Sequence, residues 1–269
     1  MASILPAVIV LGCIGAVCAL LLIIAAKYMA VPVDSKAEAL RECLPGANCG
    51  GCGYAGCDGY AAALAEGSET AVNKCVAGGT KTGKRLAALM GSEFTETVRK
   101  VAVIHCVGEC GKRAKTTVET IGTDSCAAVR LTYGGTGSCA FGCIGYGDCV
   151  AACPEQAICI INGIACVNPG KCIGCGKCVR TCPQRLISLI EFKPLSMVKC
   201  SNHQKGAQAR AVCEVSCIGC GLCVRKCETT AIGLKDNLAI IDPDKCTACG
   251  SCVSVCPRGA IKMLFTACN

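Results

Sequence analysis

The chain has 269 residues, 31 of them cysteine, with no Trp and only two His. Its formal charge of +8 does not argue for a nucleic-acid partner, because anionic metal–thiolate centres on so many cysteines would offset it. So many cysteines could indicate a secreted disulfide scaffold, but their tight spacing argues against that reading. It points to a reducing, cytosol-facing compartment and to metal-coupled folding of a chain with few large core residues.

Ile4 to Ala26 is an unbroken run without a charge, long enough to span a bilayer as a helix. A cleaved signal would need a basic segment before a shorter apolar run, and no Lys or Arg precedes Lys27. Residues 1–27 are therefore expected to form a single uncleaved transmembrane helix. Lys27, Lys36 and Arg41 follow it, which sets the remainder on the cytoplasmic side. Gly12, Gly15, Ala16 and Ala19 have the small-residue spacing of close helix contacts, which is also ordinary transmembrane composition. Cys13 and Cys18 read as small apolar packing residues. Residues 28–36 read as a linker.

Residues 37–98 read as a small α-type cluster domain. The run Asn48-Cys49-Gly-Gly-Cys52-Gly-Tyr-Ala-Gly-Cys57, followed by Cys75, has C-x2-C-x4-C-x17-C spacing. Its glycines let the backbone close around a cluster and aim amide N–H groups at it. A [4Fe-4S] site on Cys49, Cys52, Cys57 and Cys75 is expected, with zinc as the alternative. Cys43 lies outside this loop and is the spare. Tyr60 to Glu66 reads as a helix. Residues 78–100 read as a basic helix with flanking loops, either a solvated connector or a docking surface for an acidic ferredoxin.

Residues 99–199 open with a buried strand from Val101 to Cys106, and His105 within it reads as a satisfied core histidine. An internal repeat follows. One constant shift along the chain carries Cys126, Cys139, Cys143, Cys149, Cys153, Cys172, Cys175, Cys178 and Cys182 onto Cys200, Cys213, Cys217, Cys223, Cys227, Cys246, Cys249, Cys252 and Cys256. The second repeat, residues 200–269, carries C-x2-C-x2-C-x3-C twice. In that motif three thiolates wrap one cluster and the fourth ligates the other. Cys217, Cys220, Cys223 and Cys256 should hold one cluster, and Cys246, Cys249, Cys252 and Cys227 a second. Glu228 stands where proline is usual, but proline is not a ligand. Asn162-Gly163 and Asp236-Asn237 mark the hairpin turns.

In the first repeat Cys172, Cys175, Cys178 and Cys153 form a complete set. The other set has Cys143, Cys149 and Cys182, but Tyr146 stands where the second repeat has Cys220. Cys139 is expected as fourth ligand. A [3Fe-4S] core, or a cap by Tyr146 or water, are the alternatives. Cys106, Cys110, Cys126, Cys200 and Cys213 are candidates for a sixth cluster or for buried free thiols. Cys159, Cys166 and Cys268 read as free thiols.

Nothing in the chain reads as a catalytic acid–base pair or a nucleophile triad, and no strand–GxGxxG–helix signature marks a nicotinamide or flavin site. The uncharged N-terminal helix, the Asn48–Cys57 loop and the ferredoxin motifs, in this order over nearly the whole chain, resemble the B subunits of Rnf complexes. Those are membrane-bound ferredoxin:NAD oxidoreductases that pump sodium ions or protons. The resemblance implies a multi-cluster electron-transfer subunit fed by soluble ferredoxin. It implies membrane-embedded and NADH-binding partner subunits, and single-pass placement in the cell (inner) membrane. The expected fold is α+β: one N-terminal transmembrane helix, a small α-type cluster domain and tandem ferredoxin-like units carrying two clusters each. A membrane-anchored electron-transfer subunit of a hydrogenase or other reductase is the main alternative. A storage or scaffold protein without redox traffic is the other.

Overall fold

The computed structural model describes residues 4–28, 35–96, 98–108 and 121–264. Helix α1 (Ile4–Tyr28) has 25 residues, about 37 Å at 1.5 Å per residue. Its described side chains, Gly12 to Ile24, are all exposed. Among the residues whose side chains are described, no helix is long and apolar enough to cross a membrane. Cys13 and Cys18 are likewise exposed.

The N-terminal domain is a three-helix unit: α2 (Ser35–Cys43), α3 (Cys57–Glu66) and α4 (Gly79–Met90). Leu40, Leu64 and Leu86 are fully buried between the helices, with Tyr60 beside them. Each such leucine stabilises the domain by about 1.5–3 kcal/mol. The Tyr60 hydroxyl stays satisfied by donating to the Ala71 carbonyl at 2.6 Å. Cys43, the spare thiol, is buried in this core. Gly67, at φ 76°, ends α3 by donating its N–H to the Leu64 carbonyl, which turns the chain toward Cys75.

Two copies of one ferredoxin-like unit follow. In the first, β1 (Lys100–Ile104) pairs antiparallel with β4 (Ile187–Glu191), and β2 (Ile158–Ile161) pairs with β3 (Ile164–Val167). Helices α5 (Cys126–Tyr133), α6 (Asp148–Ala151) and α7 (Lys177–Thr181) connect them. In the second, β5 (Ser196–Val198) pairs with β8 (Ile261–Met263) and β6 (Ile232–Lys235) with β7 (Leu238–Ile241), joined by α8 (Gly206–Val212), α9 (Leu222–Lys226) and α10 (Ser251–Val255). The expected turns are present. Asn162 and Gly163 have φ of 49° and 74°, and Asp236 and Asn237 have φ of 48° and 62°, as a two-residue turn with positive φ at both positions requires.

The sheets also refine the repeat. Ile104 pairs with Ile187, and Val198 with Ile261. Ile187 and Ile261 keep the offset that relates the cysteines, whereas Ile104 and Val198 stand further apart in sequence. The first unit therefore carries an insertion after β1. By strand register the structural counterpart of Cys200 is Cys106, not Cys126, with which the cysteine repeat pairs it.

Candidate metal centres

Most of the thiol sets combine a tight loop with one cysteine brought in from elsewhere. In the N-terminal domain Cys49, Cys52, Cys57 and Cys75 line one pocket. Asn48 holds the loop by accepting the Cys57 backbone N–H at 2.8 Å. Glu69 braces the segment before Cys75, accepting from the Tyr54 hydroxyl, the Lys74 ammonium and the Ala71 N–H. The hydrogen bond from Lys74, then those from Ala71 and Tyr54, lower its pKa from 4.5 to about 2.

In the first ferredoxin unit Cys153, Cys172, Cys175 and Cys178 line one pocket. Backbone N–H groups of Ala102 and Ala157 point at the Cys172 and Cys153 sulfurs, at 3.4 and 3.3 Å. Cys217, Cys220, Cys223 and Cys256 line another in the second unit. Cys246 and Cys249 lie within electrostatic range of Cys252, and Cys227 packs in the same core as Cys252.

The pocket that Cys143, Cys149 and Cys182 line is also lined by Cys126. Cys139, the expected fourth member, instead adjoins Cys200: Asn202 approaches both sulfurs, Cys139 through Nδ2 at 3.8 Å and Cys200 through its backbone N–H at 3.5 Å. The physical reason is Asp148. Its carboxylate accepts the N–H groups of Cys126 and Ala127 and the Ser125 hydroxyl at 2.8–3.0 Å. That clamps the N-terminus of α5 next to Cys149. Tyr146 packs against the small core of Cys126, Val129 and Ile144. The signal was in the sequence: aligned on their apolar strands instead of their cysteines, the two units leave Cys126 without a counterpart and therefore available.

At the seam between the units, His105 Nδ1 donates to the Val198 carbonyl at 3.0 Å, because a carbonyl can only accept. Its Nε2 then accepts from Ser188 Oγ at 2.7 Å. Burial holds this ring neutral by lowering its pKa, so the core-histidine reading fits. Cys106 is close enough to Lys199 to bear on its charge. Cys213 is buried. Cys110 and Cys268 lie outside the described residues. Cys159 is exposed and free, whereas Cys166, expected as a free thiol, is disulfide-bonded.

Three family models match parts of the chain. An FeS model, an Fe-S cluster family, matches residues 44–77, and two 4Fe-4S dicluster domain models match residues 171–232 and 216–260. The B subunit of the Na(+)-translocating ferredoxin:NAD(+) oxidoreductase complex of Acetobacterium woodii is 42% identical over 245 residues, 91% of this chain and 73% of that protein. Its equivalent in the proton-translocating ferredoxin:NAD(+) oxidoreductase complex of Clostridium ljungdahlii is 37% identical over 270 residues, 98% of this chain and 94% of that protein. The B subunit of the ion-translocating oxidoreductase complex of Methanosarcina acetivorans is 36% identical over 255 residues, 94% of this chain and 96% of that protein. The chain belongs to the Rnf B-subunit family. This family member is a carrier of several [4Fe-4S] clusters.

Its thiols fit such cores on chemical grounds. Burial and then neighbouring thiolates push Cys149 up to about 12, the neighbours being Cys143, Cys126 and Cys182. Burial and its neighbours push Cys178 and Cys223 to about 11. Thiolates crowded in this way need a cationic core to ionise, and four irons supply one. Among the described residues no three or more His, Cys, Asp or Glu are arranged to hold a single ion.

Proposed function

We propose that this chain is the electron-transfer subunit of an ion-translocating ferredoxin:NAD oxidoreductase. It accepts electrons from reduced soluble ferredoxin and passes them toward membrane-embedded partner subunits. A separate NADH-binding subunit performs the reduction of NAD, and Na+ or H+ moves through the partners. The single observation that carries the reading is the series of four-cysteine pockets held along one polypeptide. When bound, the [4Fe-4S] cores supply one-electron redox chemistry, and the chain tunes them through N–H···S bonds, burial and charge.

The ligand sets we assign are Cys49, Cys52, Cys57 and Cys75; Cys153, Cys172, Cys175 and Cys178; Cys126, Cys143, Cys149 and Cys182; Cys217, Cys220, Cys223 and Cys256; and Cys227, Cys246, Cys249 and Cys252. For a sixth we assign Cys106, Cys139, Cys200 and Cys213. Cys106 and Cys200 are strand-register counterparts, Cys139 and Cys213 are repeat counterparts, and Cys139 already adjoins Cys200. Cys200 Sγ also accepts the N–H of Cys217 at 3.3 Å, as thiolates bound to clusters do. A site there would bridge the two units.

Helix α1 is the membrane anchor in this reading. Its support is the uncharged run from Ile4 to Ala26, its 25-residue length and the full exposure of its described apolar side chains. The positive residues that follow it favour cytoplasmic cluster domains. The deciding experiment is iron and acid-labile sulfide per chain on anaerobically purified protein, followed by reduction with ferredoxin. About 24 irons are expected for six [4Fe-4S] sites and about 20 for five. Zinc in place of iron, or no reduction by ferredoxin, would sink the proposal.

A further inference from the structure

The two ferredoxin units carry the same cysteine loop, Cys172–Cys178 in the first and Cys246–Cys252 in the second, in different surroundings. In the first unit the loop is covered. Gly51 of the N-terminal domain lies directly on it: a Cβ built on Gly51 would stand 3.1 Å from the Cα and 3.4 Å from the Cβ of Cys175. The Lys100 carbonyl fills the space beside Gly174, 2.5 Å from where a Cβ would be. Ile173 and Cys175 are half-buried, and Gly174 and Gly176 are buried.

In the second unit the counterparts Thr247 and Cys249 are exposed, and Ala248 and Gly250 are only half-buried. Ala248 keeps the left-handed backbone, with φ 58° against 72° at Gly174. It carries there the methyl group that the Lys100 carbonyl forbids in the first unit. The N-terminal domain thus behaves as a bound partner seated in the first unit's socket, and the second unit presents the same socket open.

We propose that the open socket at Thr247, Ala248, Cys249 and Gly250 is where the protein electron donor docks, presenting its own cluster beneath a side-chain-free loop as the Gly50–Gly51 turn does in the first unit. The assignment rests on the electron-transfer reading above. One electron leaves the donor, which is oxidised, and enters the chain, which is reduced; no bond forms or breaks and no proton is required. A second copy of this chain is the weaker occupant, because its N-terminal domain is tethered to a socket of its own at high effective concentration.

The test uses the full anaerobic chain and a reduced two-cluster ferredoxin. Thr247→Trp adds bulk in the socket, and Leu131→Trp adds the same bulk at an exposed position on α5 of the first unit. The Thr247→Trp variant should slow reduction by ferredoxin about tenfold or more, the scale of a central interface position. The Leu131→Trp variant should react like wild type, and dithionite should reduce all three equally. Hydrogen exchange on the wild-type chain gives a readout independent of any variant: amides of residues 247–251 should gain protection when ferredoxin is added. Wild-type rates in Thr247→Trp, equal slowing by Leu131→Trp, or protection elsewhere with none at 247–251 would overturn the assignment. Self-association of the chain that Thr247→Trp abolishes would reassign the socket to a second copy and overturn it too. A wild-type chain that ferredoxin does not reduce at all would instead remove the electron-transfer reading on which the assignment stands.

Discussion

Gly51→Ala isolates the contact between the N-terminal domain and the first ferredoxin unit. Gly51 does not need a left-handed backbone, since no positive φ occurs there, so alanine brings no conformational strain. Its cost is steric. The new methyl would meet Val76 Cγ2 at 2.6 Å and Cys175 Cα at 3.1 Å, whereas carbons in contact stand about 3.5–4.0 Å apart. The shortfall is about 0.9–1.4 Å toward Val76 and about 0.4–0.9 Å toward Cys175. Val76 is partly exposed and can rotate. Cys175 presents backbone within a cluster loop, so the two domains must separate by that amount. Overpacking of this kind costs about 1–3 kcal/mol. Electron tunnelling falls exponentially with distance, so the separation should register as a slow step. In stopped-flow reduction of the full chain by ferredoxin, the share of bleaching belonging to one site should move into a slow phase. Amide exchange at residues 170–177 should rise. The double variant Gly51→Ala/Val76→Ala relieves the strain inside the N-terminal domain and keeps the clash across the junction, so it should behave like the single variant. If the double variant restores wild-type kinetics and exchange, the clash with Val76 was the cause and the junction argument is wrong.

Cys126→Ser should lower the iron content by between about one and about four per chain, according to whether a three-iron core persists; an unchanged count would return the fourth position to another residue. Asp148→Asn weakens the charged cap on α5 by about 1 kcal/mol, which should speed exchange of the Cys126 and Ala127 amides about fivefold with the fold intact. The Glu69 carboxylate is held at about 2 against 4.5. A depressed carboxylate stabilises fully above its unfolded value and loses its contribution as pH falls through the folded one. The difference in tyrosine fluorescence between wild type and Glu69→Gln, carried by Tyr54, should therefore persist down to pH 4.5 and vanish as the pH falls toward about 2.

Thiol spacing made most of the site legible before any coordinates. A C-x2-C-x2-C-x3-C run admits few geometries, so the regular quartets follow from chain length between cysteines alone. The turn residues Asn162-Gly163 and Asp236-Asn237 likewise set the hairpins. What spacing could not carry was Cys126, which stands far from its nearest partner in sequence, Cys143. Its position depends on a carboxylate, Asp148, reaching across to a helix N-terminus, and no local pattern reports a contact of that range. The cysteine repeat even misled here. Nine thiols align at one constant shift, yet the strands upstream, at Ile104 and Val198, are offset by more than that shift. An insertion between β1 and α5 moves one cysteine out of structural register while leaving the count intact.

That insertion bears on how the units join. In the ligand sets proposed above, Cys126 joins Cys143, Cys149 and Cys182, and Cys139 meets Cys200 at the seam, where His105 from one unit binds the Val198 carbonyl of the other. In that proposal the sites run from the exposed loop at Cys249, through both units, to the Gly51 contact and the domain that follows α1. The proposed order rests on which loop covers which, and it needs no assumption about cluster potentials.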